Sequence, residues 1–181
     1  MKYLFSVLFL ILISCSTSTS DEPNVAHDSE EWQIWAYSKA APDFIGEFAT
    51  VVGGDGKVIR EGSNGWTCTA TLEMPEGGFE TPQHGNTLCA DEEGFKWAEA
   101  YMTGGKPNME RDAYIWMLNG DMGEDNTKPM VMNKEDAAEG HWIESGPHLM
   151  RMPKDPASLE AVSYTHLRAH ETPEQRVCPL G

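Results

Sequence analysis

The stretch His141-Trp142-Ile143-Glu144-Ser145-Gly146-Pro147-His148-Leu149-Met150-Arg151-Met152 gathers two imidazoles, a carboxylate, a hydroxyl and two thioethers. Neutral imidazole and carboxylate bind zinc, and two His with one Glu form a known catalytic set, so His141, Glu144 and His148 are the candidate metal ligands. The same three side chains are the candidates for a hydrolase. Neither HExxH nor HxxEH is present, and Gly146-Pro147 interrupts the run, so spacing alone does not bring the three to one point. No G-x-S-x-G surrounds Ser145, and nothing marks an elbow or an oxyanion hole. His148, Met150 and Met152 fall on one face of a strand, where imidazole and thioether suit Cu(I). Methionine at period two in an apolar strand is more often core filler. Met130 and Met132 stand two apart in the same way.

Carboxylates supply the second group. Asp121-Met122-Gly123-Glu124-Asp125-Asn126 has the alternating acids of a calcium loop but lacks Gly at the sixth position and Glu at the twelfth, which is Met132. An acidic loop is ordinarily a solvated turn. Asp43, Glu47, Asp112 and Glu144 could act in pairs, but sequence does not pair them. Gly53-Gly54-Asp55-Gly56 is no phosphate loop: no Lys-Ser/Thr follows it and no helix opens after it. No motif names a cofactor.

The elements that must position these groups follow from periodicity. Glu30 to Ala41, with Trp32, Ile34 and Trp35 before Pro42, predicts a short helix with an inward aromatic stripe. Phe48–Val52 and Lys57–Arg60 flank Gly53–Gly56 as a hairpin with an Asp-Gly turn. Gly65 to Leu72 alternates, with Trp66, Cys68, Ala70 and Leu72 on one face and threonines on the other, as in a half-buried strand. Residues 73–86, rich in Gly, Pro and Glu, read as a surface loop. Asp91 caps a helix with Glu92 and Glu93 in its first turn and Gly104-Gly105 at its end. Its apolar face is expected at Phe95, Ala98 and Met102, with Trp97 and Tyr101 alongside. Ala113–Leu118, apolar on both faces, predicts a central strand. Residues 119–126 form an acidic turn, and His148–Met152 a further strand. Without a βαβ rhythm or an internal repeat, the pattern indicates α+β: a mixed, mainly antiparallel sheet with a few helices on one side.

Upstream of the domain, Lys2 precedes an apolar run, Tyr3 to Ile13, too short to span a bilayer, and Leu12-Ile13-Ser14-Cys15 ends it. This resembles the lipobox of bacterial lipoproteins, which implies cleavage before Cys15 and acylation of its sulfur. Residues 1–14 are then the signal peptide, and the partner is a membrane, reached through lipid on Cys15. Ser16 in place of Asp points to the outer membrane of the cell envelope. Residues 15–29, Ser/Thr/Asp/Pro-rich and without periodicity, read as a flexible tether.

At the far end, Val162 to Thr172 reads VSYTHLRAHET. It resembles a translated transposon adapter from short-read library preparation, so 162–181 are set aside together with His166, His170 and Cys178. Asp155-Pro156 opens a helix that has nowhere to go, and the domain is expected to be C-terminally truncated.

Residues 30–161 are long enough for one domain with its own core. The formal net charge is −16, and −17 once Lys2 and the charge-balanced tail are set aside. Such a surface repels nucleic acid. With Cys15 lipidated and Cys178 set aside, Cys68 and Cys89 remain, and an exported pair is most simply a disulfide. A redox or metal thiol pair is the competing reading, without CxxC spacing. Asn64-Gly65-Trp66-Thr67-Cys68 and Ser145-Gly146-Pro147-His148-Leu149-Met150 resemble signatures of a family of uncharacterised bacterial exported proteins, and this resemblance carries no activity with it. The sequence therefore predicts a lipid-anchored α+β domain that binds a small ligand or an envelope partner. A metal-binding domain and a hydrolase are the alternatives.

Overall fold

A computed structural model describes residues 22–125, 131 and 133–159. The leader, Cys15, Met130, Met132 and the tail from Glu160 lie outside the described residues.

Ser29 opens the first helix, α1 (Glu30–Ser38), by accepting from Trp32 N–H. After the single turn α2 (Asp43–Gly46), strands β1 (Thr50–Val52) and β2 (Val58–Arg60) form the predicted hairpin. In its turn, Gly53 N–H donates to Lys57 C=O at 2.8 Å, and Asp55 accepts from Lys57 N–H at 3.0 Å. Then come β3 (Thr67–Thr69), β4 (Leu88–Ala90), α3 (Glu92–Thr103) and β5 (Ala113–Met117). The short strands β6 (Glu124–Asp125) and β7 (Trp142–Ile143) follow, then β8 (His148–Met152) and a 3-10 turn, Pro156–Leu159.

Six strands make one sheet in the order β2-β1-β3-β4-β5-β8, antiparallel except for β1 with β3. β6 and β7 pair apart from it as a ribbon. The fold is thus α+β with a mixed, mainly antiparallel sheet.

The helices do not share a side. Val51, Cys68 and Cys89 are in register on one face and pack with Trp32, Ala36 and Tyr37 of α1. Leu88, Ala90, Ile115 and Met117 project from the opposite face, where α3 lies with Trp97. The expectation of helices on one side is corrected: the sheet centre is apolar on both faces and both need cover. Two cores result, one per face.

α3 also turns a different face inward from the one predicted. Glu93, Gly94 and Ala100 are buried, while Met102 is 59% exposed and Phe95 lies at the surface. The reason is Gly94. A Cβ there would meet Ala90 Cβ at 3.0 Å and Ile115 Cγ1 at 3.1 Å, so this glycine sets how closely α3 approaches the sheet. Glu93 is tolerated on the buried side because Lys96 Nζ donates to it at 2.8 Å and Glu110 N–H at 2.7 Å. These bonds hold its carboxyl below the ordinary value.

Two loop expectations also change. Residues 73–86 include a 3-10 turn, Pro82–Gly85, and bury Phe79, Gly85 and Asn86. Residues 22–29, expected to belong to a flexible tether, pack on the domain: His27 stacks on Trp32, and Gln33 donates to Asp28 C=O at 2.8 Å.

Candidate functional site

The chemically equipped segment lies where β5 ends and β8 begins, since Met117 pairs with His148. Between them the chain makes a 30-residue excursion, 118–147, that carries the ribbon. Its first residues are clamped to the core. Leu118 N–H donates to Ala40 C=O at 2.9 Å, and Asn119 Nδ2 donates to Ala36 C=O at 3.0 Å and Thr87 Oγ1 at 2.8 Å. Gln83 and Asn86 then hold the next turn, through Asp121 C=O at 2.8 Å and Met122 N–H at 2.7 Å.

Asp121 closes the excursion. Its Oδ1 accepts from Gly123 N–H at 3.0 Å and Ser145 N–H at 2.8 Å, while its own N–H donates to Ser145 C=O at 2.9 Å. Ser145 is thereby bracketed by backbone bonds. Gly123 adopts φ +101°, and a Cβ there would sit 2.5 Å from the Trp142 indole, so Trp142 packs on a position only glycine fits. Asp125 is buried and accepts from Ala138 N–H at 3.0 Å, with His141 Nδ1 4.0 Å from its other oxygen.

Of the acids that gave this stretch its likeness to a calcium loop, Asp121 and Asp125 thus direct oxygens at backbone N–H groups. Partial desolvation raises the carboxyl of the largely exposed Glu124 above its ordinary value; Asp121 nearby adds to this and His148 partly opposes it.

The three predicted metal ligands go to separate partners. His141 faces Asp125. Glu144 accepts from Trp142 Nε1 at 3.1 Å and lies 3.3 Å from Lys134 Nζ. His148 Nδ1 donates to Gly146 C=O at 2.7 Å. Among the described residues no group of three His, Cys, Asp or Glu is placed to hold a metal ion. His141, Glu144 and His148 are not brought together as a triad; the Gly146-Pro147 break and the ribbon divide them. Met150 and Met152 pack against the α3-side core, beside Ile115 and Ala113 in register, as core filler does.

Cys68 and Cys89 are direct register partners on β3 and β4, joined as a disulfide and fully buried. Cys89 Sγ lies 3.4 Å from Tyr37 C=O under α1.

A cleft lies elsewhere. A cavity of about 450 Å³ runs between the second half of α3 and residues 105–110, lined by Lys96, Glu99, Thr103, Lys106, Asn108 and Glu110 over an Ala100 and Pro107 floor. Lys96 is held at its rim by Glu92 at 3.0 Å and Glu93 at 2.8 Å. Glu110 is held there by its N–H on Glu93. No motif in the sequence marks this cleft. Its available signal was the Gly104-Gly105 stop followed by polar Lys106 and Asn108 around Pro107. A smaller cavity, about 130 Å³, lies between α1, α2 and Arg60.

Comparison with protein-family models, with curated proteins and with solved structures finds no match to this chain. Among the described residues no helix is long and apolar enough to cross a membrane.

Proposed function

We propose that this protein is a lipid-anchored component of a bacterial cell envelope whose folded domain binds a small polar ligand. The observation that carries the anchoring is Leu12-Ile13-Ser14-Cys15 placed directly after a charged and then apolar leader. Acyl chains on Cys15 would hold it stably, since each buried methylene contributes about 0.8 kcal/mol. Ser16 favours the outer membrane as destination. In a bacterial host, an alkyne fatty acid should label the wild type and leave Cys15→Ala unlabelled and released from membranes. Label that persists on Cys15→Ala sinks the anchoring.

Binding is favoured over catalysis because His141, Glu144 and His148 have separate partners, whereas the cleft beside α3 presents charges of both signs around a small apolar floor. Its volume falls within the range of small-molecule sites. Lys106 and Glu110, opposite in sign, suit a ligand bearing both an acid and an amine. Titration with amino acids should shift backbone amide resonances of residues 96–110, with Lys106→Ala weakening the response. Shifts confined to residues 141–148 would instead favour the His/Glu segment.

A further inference from the structure

Residues 22–29 grip the domain before α1 begins. Glu22 Oε1 accepts from Trp32 Nε1 at 2.8 Å and stands 3.4 Å from His27 Nε2. His27 Nδ1 donates to Phe79 C=O at 2.7 Å, and its ring stacks on Trp32 with centroids 4.5 Å apart. The backbones of His27 and Gly78 bridge; a Cβ on Gly78 would lie 2.3 Å from the His27 carbonyl carbon. Trp32 and Phe79 are core residues. The segment is therefore clasped on a side chain and a backbone that the fold already immobilises, and the anchored chain ends at Glu22 and not at Glu30.

From this clasp we infer a short leash: the pole of the domain carrying Glu22, His27 and the start of α1 is held at the membrane surface. The inference rests on lipidation of Cys15 as proposed above. From Cys15 to Glu22 is seven residue steps, which an extended chain covers in at most ~25 Å, against ~54 Å for the fifteen steps to Glu30. Halving the leash confines the domain to a thin shell above the bilayer. The surface that faces it is acidic, with Glu22, Asp28, Glu30 and Glu31 exposed, so a headgroup layer of low negative charge is its compatible neighbour.

The test uses the full lipidated chain in phosphatidylcholine vesicles, with Cys178→Ser and a donor dye on Glu30→Cys, and an acceptor dye on the headgroups. Energy transfer should be high in this protein. It should fall when fifteen Gly/Ser residues are inserted between Asp21 and Glu22, a change outside the clasp. It should fall less on His27→Ala, whose folding is checked by its circular-dichroism melt. Transfer unchanged by the insertion overturns the short leash, with lipidation left standing. A chain that never associates with vesicles overturns lipidation, and the leash with it.

Discussion

The half of the molecule built around α1 and the end built around the β6–β7 ribbon are held by different forces. Around α1, Trp32, Tyr37, Val51, Cys68 and Cys89 are wholly buried, and one covalent bond ties two neighbouring strands. Even the polar groups serve this core. Gln33 donates to Asp28 C=O and accepts from Gly54 N–H, joining the clasped segment, α1 and the hairpin through one buried amide. At the ribbon, Ile143 is 43% exposed, Trp142 is half-buried, and cohesion comes from backbone bonds to Asp121 and Asp125. One region is stabilised by excluding water and the other by satisfying turns. The residues that looked most chemical lie at the second.

Substitutions should expose that difference. Trp32→Ala is expected to cost ~3–5 kcal/mol in denaturant unfolding, as for a large aromatic lost from a core, whereas Trp142→Ala should cost under ~1 kcal/mol. Equal losses would break the comparison. Replacing both Cys68 and Cys89 by Ala should cost about 3 kcal/mol if the link acts through the unfolded chain. Non-reducing peptide mapping should join the two cysteines, and two alkylatable thiols would refute the bond. A smaller effect belongs to Asp91, which caps α3 through Gly94 N–H and pairs with Arg111. Asp91→Ala should cost ~1 kcal/mol.

The smallest expected effects differ in sign. Hydrogen bonds from Arg151 and then Lys154 N–H hold the Asp112 carboxyl below its ordinary value. Its contribution is therefore complete above the unfolded value and is lost as pH falls through the folded one. Asp112→Asn should lower Tm at pH 7 and matter little in strong acid. Glu124 is raised instead, so its charged form is disfavoured in the fold, and stability falls as pH rises from the unfolded value up through the higher folded one. Glu124→Gln should raise Tm at pH 7 and leave it unchanged at pH 4. Shifts of the same sign in both variants at pH 7 would refute the electrostatic contrast.

Much of the fold was legible where the signal was local. The hairpin at Gly53–Gly56, the Asp91 cap, the Gly104 stop and the inward face of Cys68 all depend on residues within a few positions of one another. β4 was not legible. Leu88-Cys89-Ala90 is three residues long and buried on both faces, so it shows neither period nor punctuation, although it sits centrally in the sheet. The ribbon strands, two residues each, offer no pattern either. Asn119 and Asn86 hold the excursion 118–147 through partners tens of residues away, and nothing near them in the chain marks them for it.

Residue types and short spacings by themselves determined the α+β class, the inward face of Cys68, and which turns and caps form. Turn and capping energies arise between near neighbours, and period two or 3.6 writes burial into the chain directly. Only the tertiary structure decided that α1 and α3 cover opposite faces, that Gly94 rather than Phe95 meets the sheet, and that residues 22–29 belong to the domain. It also decided that His141, Glu144 and His148 part company, each taken by its own partner. These outcomes depend on contacts between segments far apart in sequence, whose geometry no local period encodes.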